Sequence, residues 1–199
     1  RRINTGLLWL VFMLAWIGFM LWNSGAVACP DSMAARVDAA ILWLVTPPET
    51  ASAETVRRLS ESRVAEDHGY RQELAGHFIE AAEHFDLPLW SLVAIGYTES
   101  VFRMGEVGDG GRSHGIMQVG RQGRLACREH CGDMGTARQQ IFCGACWLDR
   151  GRQWCGDLDG GMAAYVGGHC RLRTPGAARA HAKKQKVAAK LAEKFSGGM

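Results

Sequence analysis

The chain has 199 residues, which suits one globular domain and an appendage. Its 47% hydrophobic and 22% charged content exclude a disordered chain and predict a folded core. The net charge is only +3, but residues 171–199 carry eight Lys or Arg and a single acidic residue. This basic tail suits an anionic wall polymer, a membrane surface or nucleic acid, unless it is a solvated helix face with a frayed end.

The N-terminal segment predicts export from the cytoplasm. Two arginines precede an apolar run, and no charged residue follows them until Asp31. Residues 7–28 supply the roughly 20 apolar positions that a membrane-spanning helix needs. The positive-inside rule then leaves the start of the chain in the cytoplasm and the rest outside. Three alternatives remain open: a retained anchor, a signal peptide cleaved after Ala28, and a lipoprotein signal with lipid on Cys29.

The rest of the chain is predicted to be mostly α-helical. Helical spacing of apolar residues occurs over 33–45, and the prolines within 46–52 mark a linker. No strand with alternating polarity is evident. The further helices that apolar spacing and capping residues predict cover residues 70–85, 88–100, 136–148, 162–166 and 177–195.

Capping residues indicate where several of these helices begin. Asp86 is expected to cap the helix that has Pro88 in its first turn. Thr136 and Gln139 have the spacing of a capping box. Residues 105–111 contain four glycines and are expected to form a loop. The predicted division is an anchor or signal segment, a juxtamembrane helix with a Pro-rich linker, and an α-rich domain with a basic C-terminal helix, at residues 1–28, 29–52 and 53–199.

Glu99, at the end of an apolar helix, is the candidate catalytic acid. A carboxyl group there is partly desolvated, which favours the protonated form that a general acid needs. In the glycine-rich loop that follows, small residues let a polymer approach the backbone closely. Ser113 and Gln118 come next and supply polar groups that could bond a sugar amide.

Three short motifs occur in order: Glu99-Ser100, Ser113-x-Gly115-Ile116-Met117-Gln118 and Ala163-Ala164-Tyr165-x-Gly167. Their order and spacing, over roughly residues 70–169, resemble the soluble lytic transglycosylase and goose-type lysozyme superfamily. The resemblance implies a lysozyme-like α-rich fold. It also implies cleavage of the β-1,4 bond between N-acetylmuramic acid and N-acetylglucosamine in peptidoglycan, with neither a metal nor another cofactor.

The resemblance also implies roles for individual residues. Glu99 would protonate the glycosidic oxygen and then, in a transglycosylase, act as base on the muramyl C6 hydroxyl. Met117 would line the cleft, and Tyr165 would hydrogen-bond Glu99 or the substrate. Ser113 and Gln118 would contact the muramyl N-acetyl region. The implied substrate-binding set is Ser113, Gly115, Met117, Gln118 and Tyr165.

Some positions depart from the family pattern, and three functions stay open. Val166 stands where the family usually has Asn, and Gly120 where goose-type lysozymes have Asp. Asp109 resembles a lysozyme loop residue and would position a hydrolytic water, unless it only bonds its own backbone as a turn residue. The alternatives are a lytic transglycosylase, a lysozyme-type hydrolase and a non-catalytic wall-binding component of a secretion machine or phage particle.

Six cysteines lie in the second half of the chain: Cys127, Cys131, Cys143, Cys146, Cys155 and Cys170. An exported domain favours disulfides between them. Zinc binding, with His130 and His169 nearby, and free thiols are the alternatives. Expected partners are peptidoglycan strands, the inner membrane through residues 7–28, and secretion-machine or phage-particle proteins. Nucleic acid is not an expected partner. The catalytic domain is expected outside the cytoplasm, facing the cell wall.

Overall fold

The computed structural model describes residues 32–62 and 64–196, which contain nine α-helices and one small sheet. The helices are α1 Met33–Val45, α2 Ala53–Ser60, α3 His68–Phe85, α4 Leu89–Ser100, α5 Arg121–Ala126, α6 Arg128–Cys131, α7 Ala137–Cys155, α8 Leu158–Gly167 and α9 Pro175–Phe195. The predicted α-rich class is confirmed. Within the described ranges, none of these helices combines the length and apolar character needed to cross a bilayer. The predicted membrane segment 7–28 and Cys29 lie outside them.

One predicted cap was wrong and one is confirmed. Asp86 does not start α4; it ends α3 in the left-handed conformation, with φ 49° and ψ 51°. Asp tolerates this conformation better than most residues, and only a short connection separates α3 from α4. Pro88 is instead the N-cap of α4, without a side-chain bond. At α7 the predicted box forms, because Thr136 accepts from the Gln139 N–H and the Gln139 side chain accepts from the Thr136 N–H.

Helix α1 shares the core of the helices that follow it. It packs against α3, and its residues Val37 and Ile41 are fully buried. Residues 33–45, which the sequence placed in a separate juxtamembrane segment, therefore belong to one compact unit with the rest of the described chain.

The predicted glycine-rich loop contains a small antiparallel sheet. Its strands are β1 Val107–Gly108, β2 Ser113–His114 and β3 Val119–Gly120, in that spatial order. Each strand is too short for a polarity pattern to be read from the sequence. Between β1 and β2 the chain turns through Asp109, Gly110 and Gly111, all with positive φ.

Helix α4 is buried on several sides. It packs against α1, α3 and α9, and Leu92, Val93 and Ile95 are fully buried. At its C-terminal end, Val101 adopts the left-handed conformation. The Ser100 hydroxyl donates to the Ile116 carbonyl over 2.8 Å. The last turn of α4 is thereby fixed to the loop that precedes β3.

The six cysteines form three disulfides, as predicted, with pairings that the sequence left open. They are Cys127–Cys146, Cys131–Cys143 and Cys155–Cys170. The first two connect α5 and α6 to α7. The third connects the end of α7 to the residues that follow α8. Because all six sulfurs are paired, none is available as a zinc-binding thiolate.

The basic tail forms the long helix α9, which is fixed along its length. Thr174 caps its start by accepting from the Ala177 N–H. His181 contacts Asp159, with 3.1 Å between Nε2 and Oδ1. Near the other end, the Trp90 indole N–H donates to the Ser196 hydroxyl over 2.6 Å. These contacts hold α9 against α4 and α8.

Candidate active site

A cleft of about 990 Å³ lies between the small sheet and the helices α4, α8 and α9. Of the residues predicted for the site, it brings together Glu99, Asp109, Ser113, Gln118 and Tyr165. Val166, at the position where the family pattern has Asn, also lines it. A cleft of this size is typical of ligand-binding sites.

Glu99 lies in the last turn of α4, one residue before the Ser100 contact that fixes this end of the helix. Its side chain is 24% exposed, so it reaches the cleft without being surrounded by water. One carboxylate oxygen, Oε1, lies 2.8 Å from the Nζ atom of Lys184. Neither carboxylate oxygen is a buried atom without a hydrogen-bond partner. The side chain also lines the cleft, where a ligand can approach it.

Lys184 contacts Glu99 in the cleft and was not among the residues that the sequence predicted for the site. It lies on α9, and its side chain is only 5% exposed. The sequence predicted either an anionic partner for the basic tail or a solvated helix face. However, His181, Lys184 and Leu191 form the buried stripe of this helix. The sequence does contain a signal for this residue, since Lys184 has the helical spacing of the buried residues on this helix. Lysine is rarely fully buried unless its charge has a partner, so such a position predicts an ion pair.

Tyr165, on α8, lies close to Glu99 but does not bond it. Its hydroxyl donates to the Met117 carbonyl oxygen. Burial, together with the negative charge of Glu99, raises the pKa of the Tyr165 hydroxyl well above its ordinary value. Tyr165 therefore stays a neutral donor. The predicted bond from Tyr165 to Glu99 or the substrate stays a prediction, since the bond that the structure shows is the one to Met117.

Met117 does not line the cleft as the resemblance implied. Its side chain is fully buried, and a β-carbon placed on Gly144 of α7 would come within 2.5 Å of it. The absence of a side chain at Gly144 is what lets Met117 pack against α7. Met117 contributes to the site through its backbone carbonyl, which positions Tyr165.

The polar residues of the loop are mostly engaged within the protein. The Ser113 hydroxyl donates to the Asp109 carboxylate over 2.7 Å. The Gln118 side-chain amide donates to the carbonyls of Glu106 and Gly115, at 2.9 and 2.8 Å. These bonds hold the sheet and its turn in shape. Ser113 and Gln118 both line the cleft, where a ligand could reach them. Their contacts with a sugar amide stay a prediction.

Gly115 lies beside a smaller pocket of about 360 Å³ rather than in the main cleft. Its φ is +77°, and a β-carbon there would lie 2.5 Å from the Gln140 side-chain oxygen. That oxygen accepts from the Ile116 N–H, while the Gln140 amide donates to the Met134 carbonyl over 2.8 Å. Glycine is required here because a buried glutamine fills the space.

Several positive groups line the cleft around Glu99. Arg112, Arg121 and Lys183 are among them, in addition to Lys184. Partial burial lowers the pKa of Lys183, and the nearby charges of Arg58 and Lys184 lower it further, whereas Glu99 acts in the opposite direction. Glu106 and Asp109 line the same cleft, so groups of both charges face a ligand there. Within residues 32–62 and 64–196, no three His, Cys, Asp or Glu side chains are grouped to hold a metal ion.

Comparison with known proteins adds nothing to this geometry, because no family model, curated protein or solved structure matches the chain. The function therefore has to be argued from the cleft itself.

Proposed function

We propose that this protein cleaves the β-1,4 bond between N-acetylmuramic acid and N-acetylglucosamine in peptidoglycan, with Glu99 as its acid and base. The observation that carries the proposal is the placement of Glu99. Its carboxylate is held through Oε1 by Lys184, and its side chain lines the cleft. The ordered motifs that resemble lytic transglycosylases meet around this carboxylate, which adds support.

The reaction we propose is that of a lytic transglycosylase. The protonated Glu99 gives its proton to the glycosidic oxygen as the bond from that oxygen to the muramyl C1 breaks. The muramyl C6 hydroxyl then bonds to C1, and its proton passes to the Glu99 carboxylate. The products are a free hydroxyl on one fragment and a 1,6-anhydromuramyl end on the other. Glu99 recovers its proton, and no water is consumed.

A lysozyme-type hydrolase is the second candidate, and Asp109 is the observation that favours it. Its carboxylate lines the same cleft and is the kind of second group that would position a hydrolytic water. The transglycosylase is preferred because Asp109 already accepts a hydrogen bond from Ser113 and helps to form the turn between β1 and β2.

The surroundings of the proposed reaction agree with its substrate. Three disulfides are typical of proteins that function outside the cytoplasm, where peptidoglycan is found. Arg112, Arg121 and Lys183 on the wall of the cleft are groups that can pair with the peptide carboxylates of the polymer. We propose that the chain acts there while anchored in the membrane by residues 7–28, and that its partners are proteins of a secretion machine or a phage particle.

The Glu99→Gln variant tests the proposal. Gln keeps the shape of the side chain but has no proton to transfer, so cleavage should fall by about 100- to 10,000-fold with little change in stability. The assay is release of soluble fragments from purified cell-wall sacculi, with Glu83→Gln as control, since Glu83 is exposed on α3. Near wild-type release by Glu99→Gln would refute the assignment.

A further inference from the structure

The feature that carries a further inference is the ion pair between Glu99 and Lys184. Lys184 comes from α9, outside residues 70–169, and places a buried ammonium against the proposed acid. We propose that Lys184 is a positioning residue for the reaction. It fixes the rotamer of Glu99 and stabilises the carboxylate that Glu99 becomes when its proton leaves. This inference rests on the proposed function.

The geometry makes Lys184 an anchor for one side of the carboxylate. The Nζ atom contacts Oε1 over 2.8 Å, and the Glu99 side chain, which is 24% exposed, lines the cleft. The carboxylate is thus fixed through Oε1 while its side chain remains accessible from the cleft. A carboxyl group held in this way loses little rotational freedom when the substrate arrives, and misplacement of a reacting group by about 1 Å costs on the order of a hundredfold in rate.

The charge of Lys184 also matches the chemistry. Negative charge develops on Glu99 as its proton moves to the glycosidic oxygen, and the carboxylate persists until it removes the C6 proton. A fixed ammonium stabilises both states without reorganising during the reaction. The proposed mechanism uses a single carboxylate, so the negative charge stays on Glu99, next to the ammonium of Lys184.

The fold is built to keep Lys184 in place. His181, one turn earlier on α9, contacts Asp159 of α8, and Leu191, two turns later, is fully buried. Tyr165, the other candidate to hold Glu99, donates to Met117 instead. Lys183 lies next in sequence and lines the wall of the cleft, but the ion pair with Glu99 is made by Lys184. Lys184 is therefore the described residue whose contact orients Glu99.

The test compares variants of α9 in the full chain, purified in detergent, on soluble glycan strands prepared from sacculi. Lys184→Met keeps most of the packing but removes the ammonium. We expect kcat to fall about 10- to 100-fold, KM to stay within about twofold, and Tm to change little. Lys184→Arg should recover part of the rate. Lys186→Ala, exposed on the same helix, is the matched control and should match wild type.

Chemical rescue separates positioning from a purely structural role. The smaller variant Lys184→Ala leaves room for an added amine, so ethylammonium or propylammonium should restore part of its rate. Tetramethylammonium at equal ionic strength, which has no N–H, should not. The inference is overturned if Lys184→Met cleaves at the wild-type rate or faster, or if neither Arg nor the added amines recover a lost rate. A wild-type chain that cleaves no peptidoglycan would instead refute the proposed function, and this inference with it.

Discussion

The two walls of the cleft use their polar side chains differently. On the loop wall, Ser113 and Gln118 bond to other parts of the loop and hold its turn and strands in shape. On the helix wall, Lys184 bonds directly to Glu99, and Lys183 faces the cleft. The motif residues Ser113 and Gln118 thus maintain the shape of the site. The group that contacts the proposed acid comes from a helix that carries no motif.

Disulfide reduction is the strongest expected perturbation of both walls. The bridges close segments of 12, 15 and 19 residues, and each such closure typically contributes about 2–4 kcal/mol. Full reduction should lower Tm by roughly 10 °C or more and abolish cleavage. Differential scanning calorimetry after a thiol count measures this. A chelator, the control, should change neither value.

Paired cysteine variants then separate the two walls. Cys127→Ser with Cys146→Ser releases the end of α5 beside the loop wall, while Cys131–Cys143 still holds α6 to α7. Cys155→Ser with Cys170→Ser releases the exit of α8 beside α9. Each pair should cost about 3 kcal/mol of unfolding free energy in urea titrations. An unchanged unfolding free energy in either pair would show that its bridge does not stabilise that wall.

Gly115→Ala should perturb only the loop wall. The new β-carbon would meet Gln140 and would force alanine into the left-handed region, so we expect a loss of about 2–4 kcal/mol in urea unfolding. Gly105→Ala, in the same loop but with no atom within 4 Å of the added carbon, should change stability by less than about 0.5 kcal/mol. Equal losses in the two variants would contradict the account of Gly115.

Much of the fold could be predicted from the sequence because its elements are defined by local signals. The capping box at Thr136 and the apolar spacing in residues 33–45 depend on neighbours within a few positions, and both helices are present. Asp86 failed as an N-cap because the same residue type is also suited to end the preceding helix in the left-handed conformation. The choice between these two roles depends on how α3 and α4 pack.

The site was predicted less completely, since its contacts join distant segments. The resemblance implied that Glu99 and Ser113 share one cleft, and the structure brings them together. Met117 was assigned to the cleft but is buried against Gly144, which is distant in sequence. Lys184 lies 85 residues after Glu99 in the chain, and only the packing of α9 on α4 shows that they meet.

Asp109→Asn should have the smallest effect of these changes. The Asn side-chain oxygen can still accept the Ser113 hydroxyl bond, so the turn should persist. A transglycosylase that needs no water should lose less than about tenfold in rate, whereas a hydrolase that uses Asp109 as its second carboxylate should lose about a hundredfold or more. Initial rates on soluble glycan strands distinguish the two outcomes.

Mass spectrometry of the digestion products tests the central claim most directly. Purified sacculi are incubated with the wild-type chain and with Glu99→Gln, and the soluble muropeptides are then identified. The account predicts 1,6-anhydromuramyl ends from the wild type and almost none from Glu99→Gln. Reducing muramyl ends would contradict the transglycosylase and favour the hydrolase, and the absence of any cleaved product would contradict catalysis by Glu99 altogether.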